Sequence, residues 1–139
     1  GVAGDSVGLG LLDVVTQMIA DKRLTTVSAV HSDTNLPFEG YEIHIGRTDG
    51  PDTQRPFAYV DGLPEGAQSG GGRVMEGRVM GSYLHGMFAN DAWRAAFLNG
   101  LGAKASGASY GAGVEQALDD LADHVEAHIV VDGILAAAR

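Results

Sequence analysis

Twenty-one of the 139 residues are glycine, and fifteen of them gather in three stretches, Gly1–Gly10, Gly62–Gly77 and Gly100–Gly113. Glycine weakens helix and strand interiors and supplies the turns that other residues resist. The clusters therefore read as loops, and the regular structure must come from the chain between them. Leu24–Val30 is rich in β-formers and predicts a strand. In Gly40–Gly46 the apolar Tyr41, Ile43 and Ile45 alternate with Glu42 and His44. That period of two predicts a strand that buries the apolar set and projects Glu42 and His44 together from the other face. Phe57–Val60 is a further short strand. Arg78–Leu84 has small or apolar residues on both faces, as in a strand covered on both sides, with His85 at its end. The tetrapeptide Gly-Arg-Val-Met stands at Gly72–Met75 and again at Gly77–Met80, which reads as a hairpin or a local duplication.

The last third turns helical. Asn90 or Asp91 can cap a helix that sets Trp93 and Phe97 four residues apart and stops at Asn99-Gly100. Val114, Leu118, Leu121, Val125 and Ile129 then form an apolar stripe, backed by Glu115, Asp119, Asp120, Asp123 and Glu126 on the solvent side. Ile134–Arg139 closes the chain with another turn or two of helix. Strands followed by helices indicate an α/β or α+β layer fold, although helices able to cross between parallel strands are scarce. The sheet is expected to be incomplete.

Length fits one domain over residues 1–139. A net charge of -9 repels phosphate backbones and anionic lipid, so neither nucleic acid nor membrane is an expected partner. The apolar runs fall far short of the roughly 20 residues needed to span a bilayer, and no secretory leader is visible, which together predict a cytoplasmic protein. Cysteine is absent, so these residues hold no thiolate metal site and no thiol nucleophile. The chain starts without methionine in a glycine-rich stretch and reads as though it begins within a longer protein.

Several motifs suggest chemistry and fail on context. Gly8-x-Gly10 has no third glycine at the spacing of a nucleotide-binding loop. Gly107-Ala-Ser109-Tyr-Gly111 matches a nucleophile elbow, but no buried strand precedes Ser109. His124 and His128 stand at i, i+4 without the glutamate of a zinc protease. His31 sits in a turn-like context and takes no role. His85 differs, because the end of a covered strand followed by Gly86 is where open α/β sheets bind ligands.

Gly-Tyr-Glu-Ile-His-Ile-Gly-Arg-Thr at Gly40–Thr48 and Gly-Ser-Tyr-Leu-His-Gly-Met-Phe at Gly81–Phe88 resemble the two signature segments of the glutaminase domain of the cobyric acid synthase family. Gly8–Thr16 and Ala117–His124 are similar to the same family, so the resemblance covers nearly the whole chain. It implies the C-terminal portion of an α/β, three-layer, flavodoxin-like class I glutamine amidotransferase domain. The family's cysteine attacks the glutamine side-chain amide, and a histidine serves as its base. Ammonia then passes to a synthetase domain that uses ATP and Mg to amidate corrinoid carboxylates. By motif position His85 is that base, since imidazole can take a thiol proton and return it to departing ammonia. Arg47 is matched to the glutamine carboxylate, because guanidinium pairs with carboxylate in a bidentate fork. Glu42 and His44 are expected to belong to the glutamine site or its pocket, shaping the pocket or ordering the loop, with their roles open. No cofactor is expected within this chain.

The family's cysteine segment precedes the part resembling Gly1–Thr16, so these residues alone are expected to be inactive. Two alternatives stand beside this reading: the glutaminase part of a related ligase such as cobyrinic acid a,c-diamide synthase, or a non-catalytic binding module in which His85 is structural. Unpaired sheet edges predict self-association of the isolated chain.

Overall fold

The computed structural model describes residues 4–70 and 77–138. Its centre is a long antiparallel hairpin of β1 (Val15–His31) and β2 (Pro37–Asp49), with register running from Val15 opposite Asp49 to Val30 opposite Pro37. The register shifts once. Met18 pairs with Gly46 and Arg23 with His44, so four residues of β1 bulge against one of β2. The expected strand at Leu24–Val30 is the C-terminal half of β1, and that at Gly40–Gly46 is the middle of β2.

Beside β1 lies β3 (Ala58–Val60), which returns through Asp61-Gly62 into β4 (Leu63–Glu65). Asp61 and Gly62 both adopt positive φ, 51° and 77°, as a two-residue hairpin turn requires. A two-residue strand, β5 (Ala67–Gln68), pairs with β6 (Met80–Gly81) apart from the main sheet, while β7 (Leu84–His85) pairs with the outer side of β2. The main sheet thus runs β4-β3-β1-β2-β7, and every described pairing is antiparallel.

Arg78–Leu84 is therefore not the single doubly covered strand expected of it. The segment breaks at Ser82-Tyr83, because the Glu65 carboxylate accepts the Tyr83 N–H at 2.7 Å and the Ser82 hydroxyl at 2.8 Å. Those bonds substitute for a ladder, and the chain crosses from one sheet to the other. The first copy of the Gly-Arg-Val-Met duplication, Gly72–Met75, lies outside the described residues.

The main sheet buries one face. Val27 and Ala29 of β1, Phe38 of β2 and Leu84 of β7 close over Phe57 and over Trp93 of α1 (Asp91–Gly100). Trp93 and Phe38 are each 1% exposed, and burying an aromatic side chain so fully contributes about 1.5–3 kcal/mol. The Asn90 side chain caps α1 by accepting the Trp93 N–H at 2.9 Å, and Trp93 stacks on Phe97 at 5.2 Å, as the spacing predicts.

The opposite face carries Leu24, Tyr41, Ile43 and Ile45, all more than a third exposed. The expected sides of β2 are thus exchanged: alternation holds, but Glu42 is buried and the apolar set faces outward. α2 (Tyr110–His128) and α3 (Val131–Ala137) follow the predicted helical pattern, with the stripe at Leu118 and Leu121 also exposed. Sheet and helices together agree with the expected α/β class. No helix among the described residues is long and apolar enough to cross a membrane.

Candidate functional site

The four site residues predicted from the sequence divide between the two faces of β2. His85 ends β7 directly opposite Tyr41, and the two rings stack at 5.3 Å with 10° between their planes. Tyr41, Ile43, Ile45 and Arg47 alternate on this exposed face, so His85 and Arg47 share it. Six strand positions separate Tyr41 from Arg47, about 20 Å of backbone. Glutamine is shorter than that span, so an Arg47 engaged with it must lean back along the strand. The Arg47 side chain makes no hydrogen bond or ion pair among the described residues.

Two glycines fix His85. A Cβ on Gly40 would lie 2.6 Å from the His85 carbonyl oxygen, so only glycine lets β7 come this near to β2. Gly86 follows at φ 78°, a left-handed conformation that ends the strand at once.

Glu42 and His44 occupy the buried face, beside a cleft of about 1050 Å³ whose wall includes Lys22, Arg23, Tyr83 and Glu65. Arg47 also borders this cleft, between Gly46 and Thr48, although its place in the strand alternation is on the other face. Glu42 is 8% exposed and is paired on both oxygens: Arg23 Nε donates at 2.5 Å to one, and His44 Nε2 lies 2.6 Å from the other. Burial of that carboxylate is tolerated because both oxygens are satisfied. The His44 ring stacks on Tyr83 at 4.2 Å, and its Nδ1–H donates to the Gly46 carbonyl at 2.7 Å. Burial pushes the neighbouring Glu65 carboxyl above the usual glutamate value, partly offset by the hydrogen bonds from Tyr83 and Ser82.

Arg23, Tyr83 and Glu65 were not singled out from the sequence. Arg23 reaches Glu42 only because the β1 bulge resets the register, and Tyr83 faces His44 only because the strand breaks beside it. The discarded motifs have structural roles. Ser109 caps α2, its hydroxyl accepting the Ala112 N–H at 3.4 Å. His128 donates from Nδ1 to the His124 carbonyl at 2.8 Å within that helix. His31 is buried in the core beside Phe57 and Trp93.

Residues 1–93 match the family described as the CobB/CobQ-like glutamine amidotransferase domain. Among curated relatives, a cobyric acid synthase of Rhodobacter capsulatus is 63% identical over all 139 residues, and one of Bradyrhizobium diazoefficiens is 57% identical over the same length. A cobyric acid synthase of Paracoccus denitrificans is 50% identical, again over the full chain. The chain spans 28% of the length of the first two and 27% of the third. No solved structure matches it.

Proposed function

Because the chain belongs to the CobB/CobQ-like glutamine amidotransferase family, we propose that it is the histidine-bearing part of a glutaminase that supplies ammonia to a cobyric acid synthase. Its sheet and helices are part of an α/β, flavodoxin-like class I domain. The shared name of the relatives favours cobyric acid synthase over the diamide synthase and over a binding module. A synthetase domain using ATP and Mg would consume the ammonia in amidating corrinoid carboxylates.

The observation that carries the reading is the face shared by His85 and Arg47. The thiol must come from outside these 139 residues, which contain no cysteine. His85, exposed at a strand end, would take the thiol proton as the sulfur attacks the glutamine amide carbon. It would then hand that proton to the departing ammonia, leaving a thioester for water to hydrolyse. Arg47 would hold the α-carboxylate through paired N–H bonds. Glu42 and His44 would shape the site from the far side of the strand.

A full-length enzyme carrying this segment should release one glutamate for each carboxylate amidated when glutamine is the nitrogen source. Amide formation without glutamate release would overturn the reading.

A further inference from the structure

The two residues on either side of Arg47 are each tied to one aromatic stack. Gly46, before it, offers its carbonyl to His44 Nδ1–H at 2.7 Å. Thr48, after it, has its hydroxyl 2.5 Å from the Tyr83 hydroxyl and 2.6 Å from that of Thr16. His44 and Tyr83 are themselves stacked at 4.2 Å. Arg47 is thus the single residue between two anchored neighbours.

Proton accounting sharpens the role of His44. A carbonyl only accepts, so Nδ1 must carry a hydrogen. Nε2 lies 2.6 Å from Glu42 Oε1, so a proton bridges that pair as well, and Arg23 holds the other Glu42 oxygen at 2.5 Å. The ring is fixed at both nitrogens and on its face.

The Gly46 carbonyl belongs to the same peptide plane as the Arg47 N–H, so turning that plane re-aims the Arg47 side chain. Gly46 pairs with Met18 and Arg47 with Gln17, and the regular ladder ends at that point. Between Met18 and Arg23 the β1 bulge interrupts regular pairing, immediately beside Gly46. A Cβ on Gly46 would lie 2.9 Å from Thr16 Cγ2, so a bulkier residue would displace the Thr16 side chain or the plane itself. Side-chain hydrogen bonds to Gly46 and Thr48 add to the ladder where it is about to break.

We infer that Glu42 and His44 form a positioning relay that fixes the Gly46–Arg47 peptide, and through it the aim of Arg47 at the glutamine carboxylate, without touching glutamine themselves. The inference rests on the reading that Arg47 binds that carboxylate.

The experiment compares His44→Leu, His44→Asn and Arg47→Ala in a full-length enzyme carrying this segment. His44→Leu loses both ring contacts, whereas Asn retains an N–H near the Nδ1 position and can still reach the Gly46 carbonyl. His44→Leu should raise the glutamine KM roughly tenfold with kcat little changed, the pattern of a misaimed binding group. Asn should recover most of that loss. Leu added to Arg47→Ala should cost nothing further, because the relay acts only through Arg47. If Arg47→Ala raises KM and His44→Leu does not, or if their effects add, the relay is overturned while the reading of Arg47 stands. If Arg47→Ala leaves KM unchanged, the reading beneath it fails instead. Should His44→Leu not fold, Tyr83→Phe removes only the hydroxyl that reaches Thr48. It should raise KM by a smaller factor, and an unchanged KM there would count against the relay.

Discussion

His85 and Gly40 are in direct backbone contact: the His85 carbonyl occupies the space that a Cβ on Gly40 would fill, 2.6 Å away. The close approach of β7 to β2, and with it the stacking of His85 on Tyr41, depends on the absence of one methyl group. Backbone cannot yield as a flexible side chain can, so β7 must move if Gly40 gains a Cβ.

Gly40→Ala should accordingly lower the glutamine-dependent rate of a full-length enzyme roughly tenfold or more, by displacing His85. Gly100→Ala is the control. That glycine ends α1 with nothing within 4 Å of its Cβ position, so alanine there should leave the rate alone. Equal rates for the two variants would show that the β2–β7 approach does not matter.

Stability should fall on mild acidification because of His31. Its Nδ1 accepts the Thr34 N–H at 3.3 Å, which places the ring proton on Nε2, and Nε2 is buried with no hydrogen-bond partner. The rings of Phe57 and Trp93 stand edge-on around it. Burial lowers the His31 pKa below the usual 6.5, while Asp33 pulls weakly the other way. The unfolded chain therefore binds a proton at higher pH than the folded one, and stability is intact above about pH 6.5 and lost as pH falls below it. The urea midpoint should drop between about pH 7.5 and pH 5.5, and His31→Gln should flatten that slope. A midpoint that ignores pH in this window, or the same slope in the variant, would contradict the assignment.

Arg47→Lys should raise the glutamine KM, since an ammonium is a point charge that cannot reproduce two parallel N–H bonds to a carboxylate. Steady-state kinetics at varied glutamine would decide it, and an unchanged KM would remove Arg47 from the site.

The isolated chain should self-associate. Leu24, Tyr41, Ile43 and Ile45 expose a continuous apolar strip of sheet, and Leu118 and Leu121 expose another on α2. Among the described residues, β4 and β7 also end the main sheet with no further strand beyond them. Sedimentation across a wide concentration range should show mass rising with concentration, and a monodisperse monomer throughout would refute this.

The strand positions and the helices were legible because each rests on a local pattern. Alternation marked β2, Asn90 marked the start of α1, and the spacing of Leu118 and Leu121 marked α2. Which side of β2 is covered was not legible. Period two fixes which residues share a face, whereas cover comes from elsewhere. Here Trp93 closes over Phe38, and Arg23 and Tyr83 satisfy Glu42 and His44, so the polar pair goes inward. The strand break before His85 was equally hidden, since Glu65 makes it from seventeen and eighteen residues away. The β3–β4 hairpin did leave a signal in Asp61-Gly62, which the proline in Leu63-Pro-Glu65 obscured. His85 was singled out by its motif and by its place at a strand end, both local features. The partners of Glu42 depend on a bulge that no short pattern announces.

The central claim is that His85 activates a thiol for glutamine hydrolysis, and the most direct test is the ratio of glutamine-driven to ammonia-driven amidation in a full-length His85→Asn enzyme. Asparagine keeps a polar side chain of similar reach and removes the base. Free ammonia bypasses the thioester, so the two nitrogen sources separate loss of the base from loss of the fold. The glutamine-driven rate should fall by about 10²-fold or more while the ammonia-driven rate persists. A glutamine-driven rate near that of the unsubstituted enzyme, or an equal fall with both nitrogen sources in a folded protein, would contradict the claim.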